Sequence, residues 1–108
     1  MLEASDTLMS IITNINKAFD NRIRLGIMSI LMVNEYAEFK TLKELLDVTD
    51  GNLASHLKAL EKQAFISIKK QFIGRKPNTR YSASKIGTIA FKEHIKALER
   101  IINKQKND

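Results

Sequence analysis

The chain holds 108 residues, with 18 Lys and Arg against 12 Asp and Glu, two His, one Pro and no Cys, for a formal net charge of +6. That length predicts one domain, 1–108, and the lack of Cys excludes disulfide frameworks, Cys-based zinc sites, iron–sulfur clusters and thiol catalysis. No uncharged apolar run nears the roughly 20 residues that span a bilayer, and the N-terminus lacks a signal-peptide pattern, so a cytoplasmic chain is expected.

From the N-terminus, Leu8, Ile11, Ile12, Ile15, Ala18 and Phe19 recur at spacings that put them on one side of an amphipathic helix over 5–19, which Ser5 or Asp6 can cap. The pattern breaks at Asp20 and Asn21, and the dense apolar run from Ile23 to Met32 predicts a buried central helix over 21–33. After a short extended piece at 37–40, Thr41 and Glu44 stand in capping-box spacing ahead of a short helix ending near Leu46. A turn over 47–50 leads to a helix over 51–63, capped by Thr49 or Asp50. At about 100° per residue, Leu53, Leu57, Leu60 and Ala64 fall within roughly 60° of one another and predict a narrow buried stripe. The β-prone residues 65–73 and 80–83 then predict a hairpin whose tip, 74–79, carries Gly74, Pro77 and a basic cluster. A last helix starts after Ser84, a natural cap, and runs to about Lys104.

Charge is segregated along this plan. Residues 1–50 carry net −3 and residues 51–108 net +9; between Lys58 and Lys85 eight basic side chains accompany one acidic residue, Glu61. A polyanionic partner is implied, nucleic acid first and an anionic membrane surface second. A basic face serving only solubility is the plainer alternative.

Two short helices joined by a turn, the second followed by a basic hairpin, follow the helix-turn-helix plan. The order of elements resembles the winged helix-turn-helix domain of small single-domain bacterial regulators of the MarR and ArsR groups. Four segments carry the likeness: Asn21-Arg22-Ile23-Arg24-Leu25; Asn52-Leu53-Ala54-Ser55-His56-Leu57-Lys58-Ala59-Leu60-Glu61; Ala64-Phe65-Ile66; and Gly74-Arg75-Lys76-Pro77 with Thr79-Arg80-Tyr81. The resemblance implies a mainly α fold with a small antiparallel hairpin, and a DNA-binding repressor as function. The Cys and His ligand sets of metal-sensing ArsR members are missing, so no metal or other cofactor is expected.

The residue types support this without the family. Opposite the apolar stripe of the 51–63 helix lie Gly51, Asn52, Ser55, Lys58, Ala59 and Lys62, a small-residue surface that fits a major groove. There Asn52 pairs with an adenine edge, Ser55 reads either base type, and Lys58 and Lys62 suit phosphates. His56 sits between the two faces, where packing at the core edge competes with a DNA contact; His94, among charged neighbours, is expected to be solvated. In the wing, Arg75, Lys76 and Arg80 suit phosphate or a narrow minor groove. Thr41 and Lys43 are expected to touch phosphate at the start of the preceding helix.

The terminal helices, 1–19 and 85–108, carry more apolar surface than the 20–84 core can cover. A two-fold homodimer is expected through Leu8, Ile11, Ile12, Ile15, Phe91, Ile95, Leu98 and Ile102, reading a pseudo-palindromic double-stranded operator. The alternative is that these helices cover each other within one chain. A methionine-containing effector pocket at the dimer interface near Met9, Met28 and Met32 competes with plain core packing, and any effector is unidentified. No nucleophile–base pair, phosphate-cradling loop or metal spacing suggests an enzyme. The competing functions are a winged helix for protein–protein or RNA contact, which would expose aromatics on its groove side or wing, and nonspecific DNA compaction.

Overall fold

A computed structural model of the chain describes residues 8–13 and 15–106. Side chains that satisfy free N–H groups set the helix starts. The Asn21 side chain accepts from Ile23 and Arg24 at 2.9 and 3.1 Å and opens α2 (Arg22–Met32). Of the two caps expected for the 51–63 helix, Thr49 is used; it accepts from Asn52 at 3.2 Å and opens α4 (Asp50–Lys62). The Ser84 hydroxyl accepts from Gly87 at 2.9 Å and opens α5 (Lys85–Lys106).

Two expected starts differ. The helix predicted from Thr41 is α3 (Phe39–Leu46), with Glu38 at its N-cap and no side-chain cap bond, so Thr41 lies inside it and forms no capping box. Tertiary contacts decide this. Ala37 and Glu38 form β1, paired with Tyr81 and Arg80, and Ala37 and Phe39 pack into the core, which turns the chain into helix at once. The continuous helix predicted over 5–19 is instead α1 (Leu8–Thr13) followed by a separate 3-10 turn, Lys17–Phe19. Asn16 accepts from the Ala18 N–H at 2.9 Å, the kind of local bond by which Asn competes with a helix. The caps expected at Ser5 or Asp6 lie outside the described residues.

The hairpin is longer and its tip tighter than predicted. β2 (Ile66–Ile73) pairs antiparallel with β3 (Lys76–Ala83) from Ile66 opposite Ala83 to Ile73 opposite Lys76, so the turn is Gly74 and Arg75 alone. Gly74 has φ +64° while Arg75 does not enter the positive region, as a type II′ turn requires. The sheet order is β1-β3-β2. Because β1 pairs only with Arg80 and Tyr81, β3 is an open edge beside Pro77 and tolerates its missing N–H.

Leu53, Leu57 and Leu60 of α4 pack with Ile27, Met28 and Leu31 of α2, Leu42 of α3, and Phe19, Phe65, Ile66 and Phe91. The Phe19 ring meets those of Phe65 and Phe91 at 5.1 and 5.2 Å between centroids. Helix α4 ends in a Schellman motif, with Phe65 N–H on the Leu60 carbonyl at 3.0 Å and Ala64 N–H on the Glu61 carbonyl at 2.9 Å. Ala64 takes φ +61° there and is exposed, so the buried stripe stops at Leu60 rather than continuing to Ala64. The Phe65 carbonyl accepts from the Ser84 N–H at 3.0 Å, the Ser84 hydroxyl donates to the Ala64 carbonyl at 2.7 Å, and a Cβ on Gly87 would fall on the Phe65 carbonyl. This knot ties the end of α4 to the base of the hairpin and the start of α5.

His94, expected to be solvated, is 4% exposed. It packs against Phe19 and Phe91, and its Nδ1 accepts from the Asn16 N–H at 3.3 Å. Burial lowers its pKa, with Asp20 opposing. The molecule measures 63 × 25 × 21 Å with a radius of gyration of 16.6 Å, against about 13 Å for a compact chain of this length. Its outline is that of a rod, with α5 alone about 33 Å long.

Candidate nucleic-acid interface

Helix α4 presents the two faces its sequence implies. Leu53, Leu57 and Leu60 are buried, while Gly51, Asn52, Ser55, Lys58 and Lys62 are exposed and Ala59 is half-buried. Among the described residues, nothing beyond its chain neighbours and the backbone of its own helix lies within 4 Å of a Cβ built on Gly51. Internal packing therefore gives no reason for glycine at this second position of α4.

His56 belongs to the core edge. Its Nδ1 lies 3.0 Å from Nη1 of Arg24, and because a guanidinium only donates, the imidazole accepts at Nδ1 and carries its proton on Nε2. Burial, then the Arg24 charge, lowers the His56 pKa. Arg24 also donates through Nε to the Ala18 carbonyl at 2.6 Å, so one side chain joins the 3-10 turn, α2 and α4. Sequence reasoning gave Arg24 no role of its own; its place in the segment opening α2 was the available signal.

The expected phosphate contacts divide into three settings. Lys43 is paired with Asp50 at 2.8 Å, across the step from α3 to α4, and Thr41 is exposed in the first turn of α3. Arg75 and Lys76 are exposed at the wing tip. Arg80 is not at the tip: it sits midway along β3, where β1 pairs with it, its guanidinium 4.0 Å over the Tyr36 ring, with a buried Nε that has no hydrogen-bond partner among the described residues. Sequence reasoning also missed Phe72 and Ile73, 73% and 54% exposed just before the turn.

The residues expected at a dimer interface separate as well. Helix α1 lies against α5 within the chain. Ile11 is buried, and Phe91 is buried in the core against Phe19 and His94, so neither is on the surface of the single chain. Leu8, Ile12 and Ile102 are exposed, and Ile15, Ile95 and Leu98 half-buried. Met28 is in the core while Met9 is exposed, so the three methionines do not line one pocket. Among the described residues no cluster of three or more His, Asp or Glu could hold a metal ion, and no helix is long and apolar enough to cross a membrane.

A recognition helix and a hairpin wing on a three-helix core define a winged helix-turn-helix DNA-binding protein. The chain belongs to the winged helix DNA-binding domain family, which matches residues 23–102. It is 42% identical over 79 residues to the uncharacterized protein MJ0432 of Methanocaldococcus jannaschii, covering 73% of this chain and 86% of that one. Among solved structures it is similar to a transcriptional regulator homologue from Pyrococcus horikoshii, with TM-score 0.80 and 30% identity over 91% of this chain and 95% of that one. It shares its fold with a MarR-family regulator from Enterococcus faecalis, with TM-score 0.63 and 18% identity over 100% of this chain and 96% of that one. DNA binding in transcriptional regulation is thus its class of function.

Proposed function

We propose that this protein is a sequence-specific repressor that binds a pseudo-palindromic operator as a homodimer. In each protomer α4 enters the major groove, Asn52 and Ser55 reach base edges, and Lys43, Lys58 and Lys62 hold phosphates. The wing, through Arg75 and Lys76, follows the adjoining backbone or minor groove. The observation that carries this reading is Gly51, whose lack of a side chain serves no internal packing and leaves room for an approaching duplex. Lys43 exchanges an exposed Asp50 partner for phosphate at little cost, because such surface pairs contribute about 0–1 kcal/mol.

The apolar face that α1 and α5 still expose, with Leu8, Ile12 and Ile102, supports dimerisation through the ends of the chain. The winged-helix core, 20–84, then lies between an N-terminal segment and a C-terminal helix that join the copies. Two protomers so joined would set their recognition helices about 34 Å apart, one DNA turn. Selection of duplexes from a random pool tests this: an enriched inverted repeat is expected, and recovery of unrelated sequences would leave only nonspecific binding. Sedimentation of the free protein should give a dimer at micromolar concentration, and a clean monomer would refute the assembly.

One observation favours a second reading. Phe72 is an exposed aromatic on the wing, the feature expected of a winged helix that makes a protein contact.

A further inference from the structure

The wing of a purely electrostatic DNA clamp would be polar at its tip. Here the last two residues before the turn are Phe72 and Ile73, 73% and 54% exposed. Side chains alternate across a strand, so the two point to opposite faces of the hairpin. Phe72 lies opposite Pro77 and Ile73 opposite Lys76, which makes one face of the tip apolar and puts an isoleucine beside a lysine on the other, rather than exposing one stray residue. A scattered exposed hydrophobe needs no explanation, but adjacent ones on a projecting β-ribbon are a liability that proteins usually remove.

Charge identifies the occupant. From Ile66 to Ala83 the hairpin contains Lys69, Lys70, Arg75, Lys76 and Arg80 and no acidic residue. A protein partner that covered the apolar tip would have to neutralise this collar. A duplex supplies both parts at once, with phosphates along the groove walls and, between them, sugar faces and base steps that accept an apolar wedge. The ribbon narrows to a two-residue turn, and the cross-strand hydrogen bond from Gln71 to Asn78 at 3.0 Å braces it just behind the wedge.

We infer that the wing tip is a minor-groove wedge: Phe72, backed by Pro77, presses into a base step beside the major-groove site while Arg75 and the flanking lysines hold the phosphates, so that binding unstacks that step and bends the DNA. This rests on the DNA-binding reading above and adds a deformation to it. Flexible pyrimidine–purine steps under the wings would be preferred, which gives sequence preference at positions that α4 never touches.

The test uses the full chain with duplexes it enriches from a random pool, carrying end-labelled donor and acceptor dyes and 2-aminopurine at steps flanking the α4 footprint. The wild type should shorten the end-to-end distance and raise 2-aminopurine emission at one step per half-site. Phe72→Ser should keep the unfolding midpoint and the α4 footprint, abolish both signals and weaken binding by roughly 10-fold or more. Phe72→Leu should restore part of each. Equal bending and emission by Phe72→Ser overturns the wedge and leaves the DNA-binding reading standing; a wild type that binds no duplex removes both. A change in the free protein's sedimentation with Phe72→Ser, with DNA bending unaltered, would assign the tip to a contact between copies and also overturn the wedge.

Discussion

The base and the tip of the same hairpin are built on opposite principles. At the base the chain closes on itself: the Phe65 and Ala64 carbonyls are taken by Ser84, and Gly87 leaves no room for a methyl group. At the tip Phe72, Ile73, Arg75 and Lys76 are exposed. Helix α4 repeats the contrast across its own width, with three leucines sealed in and Gly51, Asn52 and Ser55 facing outward. Residues that make no sense for folding are therefore grouped where a partner would stand, and those that fix its approach are grouped behind them.

The largest expected effect is at the base. Gly87→Ala drives a Cβ into the Phe65 carbonyl and should cost about 1–3 kcal/mol of stability, the usual range for overpacking. Denaturant unfolding that finds the variant as stable as wild type would show that the knot is not rigid. Next, on the outward side, Asn52→Ala should lose on the order of 1 to 3 kcal/mol of discrimination at one base pair while leaving unfolding unchanged. Competition among single-base operator variants checks this, and uniform weakening would assign Asn52 to the backbone.

Ala64→Gly relieves a left-handed residue at the end of α4 and should gain about 0.5–1 kcal/mol, since glycine fits that conformation but returns part of the gain as unfolded-chain entropy. A loss in thermal midpoint would contradict the Schellman assignment. Lys43→Ala should change stability by no more than about 0.5 kcal/mol, because its partner is exposed. It should still reduce the salt slope of DNA binding by about one ion.

The pH response has a fixed sign. His56 and His94 both have lowered pKa values in the fold, so the unfolded chain binds more protons once pH falls below the ordinary imidazole value of about 6.5. Stability from these two groups is full above that value and is lost as pH drops through it. A thermal midpoint flat or rising from pH 7.5 to 5.5 would speak against buried neutral imidazoles.

Much of this contrast is legible in the sequence because it is local. The 4–3 spacing of Leu53, Leu57 and Leu60 sets which way α4 faces, and Ser84 caps by position alone. What sequence reasoning misplaces depends on distant partners. His94 sits among charged neighbours in sequence, yet Phe19 and Asn16, far upstream, bury it. Thr41 and Glu44 have capping-box spacing, but pairing of β1 with β3 starts the helix earlier. Phe72 and Ile73 read simply as β-forming residues; only the two-residue turn beside them shows that they project beyond any core.

The central claim is that the outward side of α4 is shaped by an approaching duplex rather than by the fold, and Gly51→Leu tests it in one protein. A leucine there meets open space, so the thermal midpoint should hold or rise slightly. Affinity for an enriched duplex should fall by at least roughly 10-fold as the side chain holds the helix off the groove. Unchanged affinity with an unchanged midpoint would mean that DNA does not approach this face, and would contradict the account.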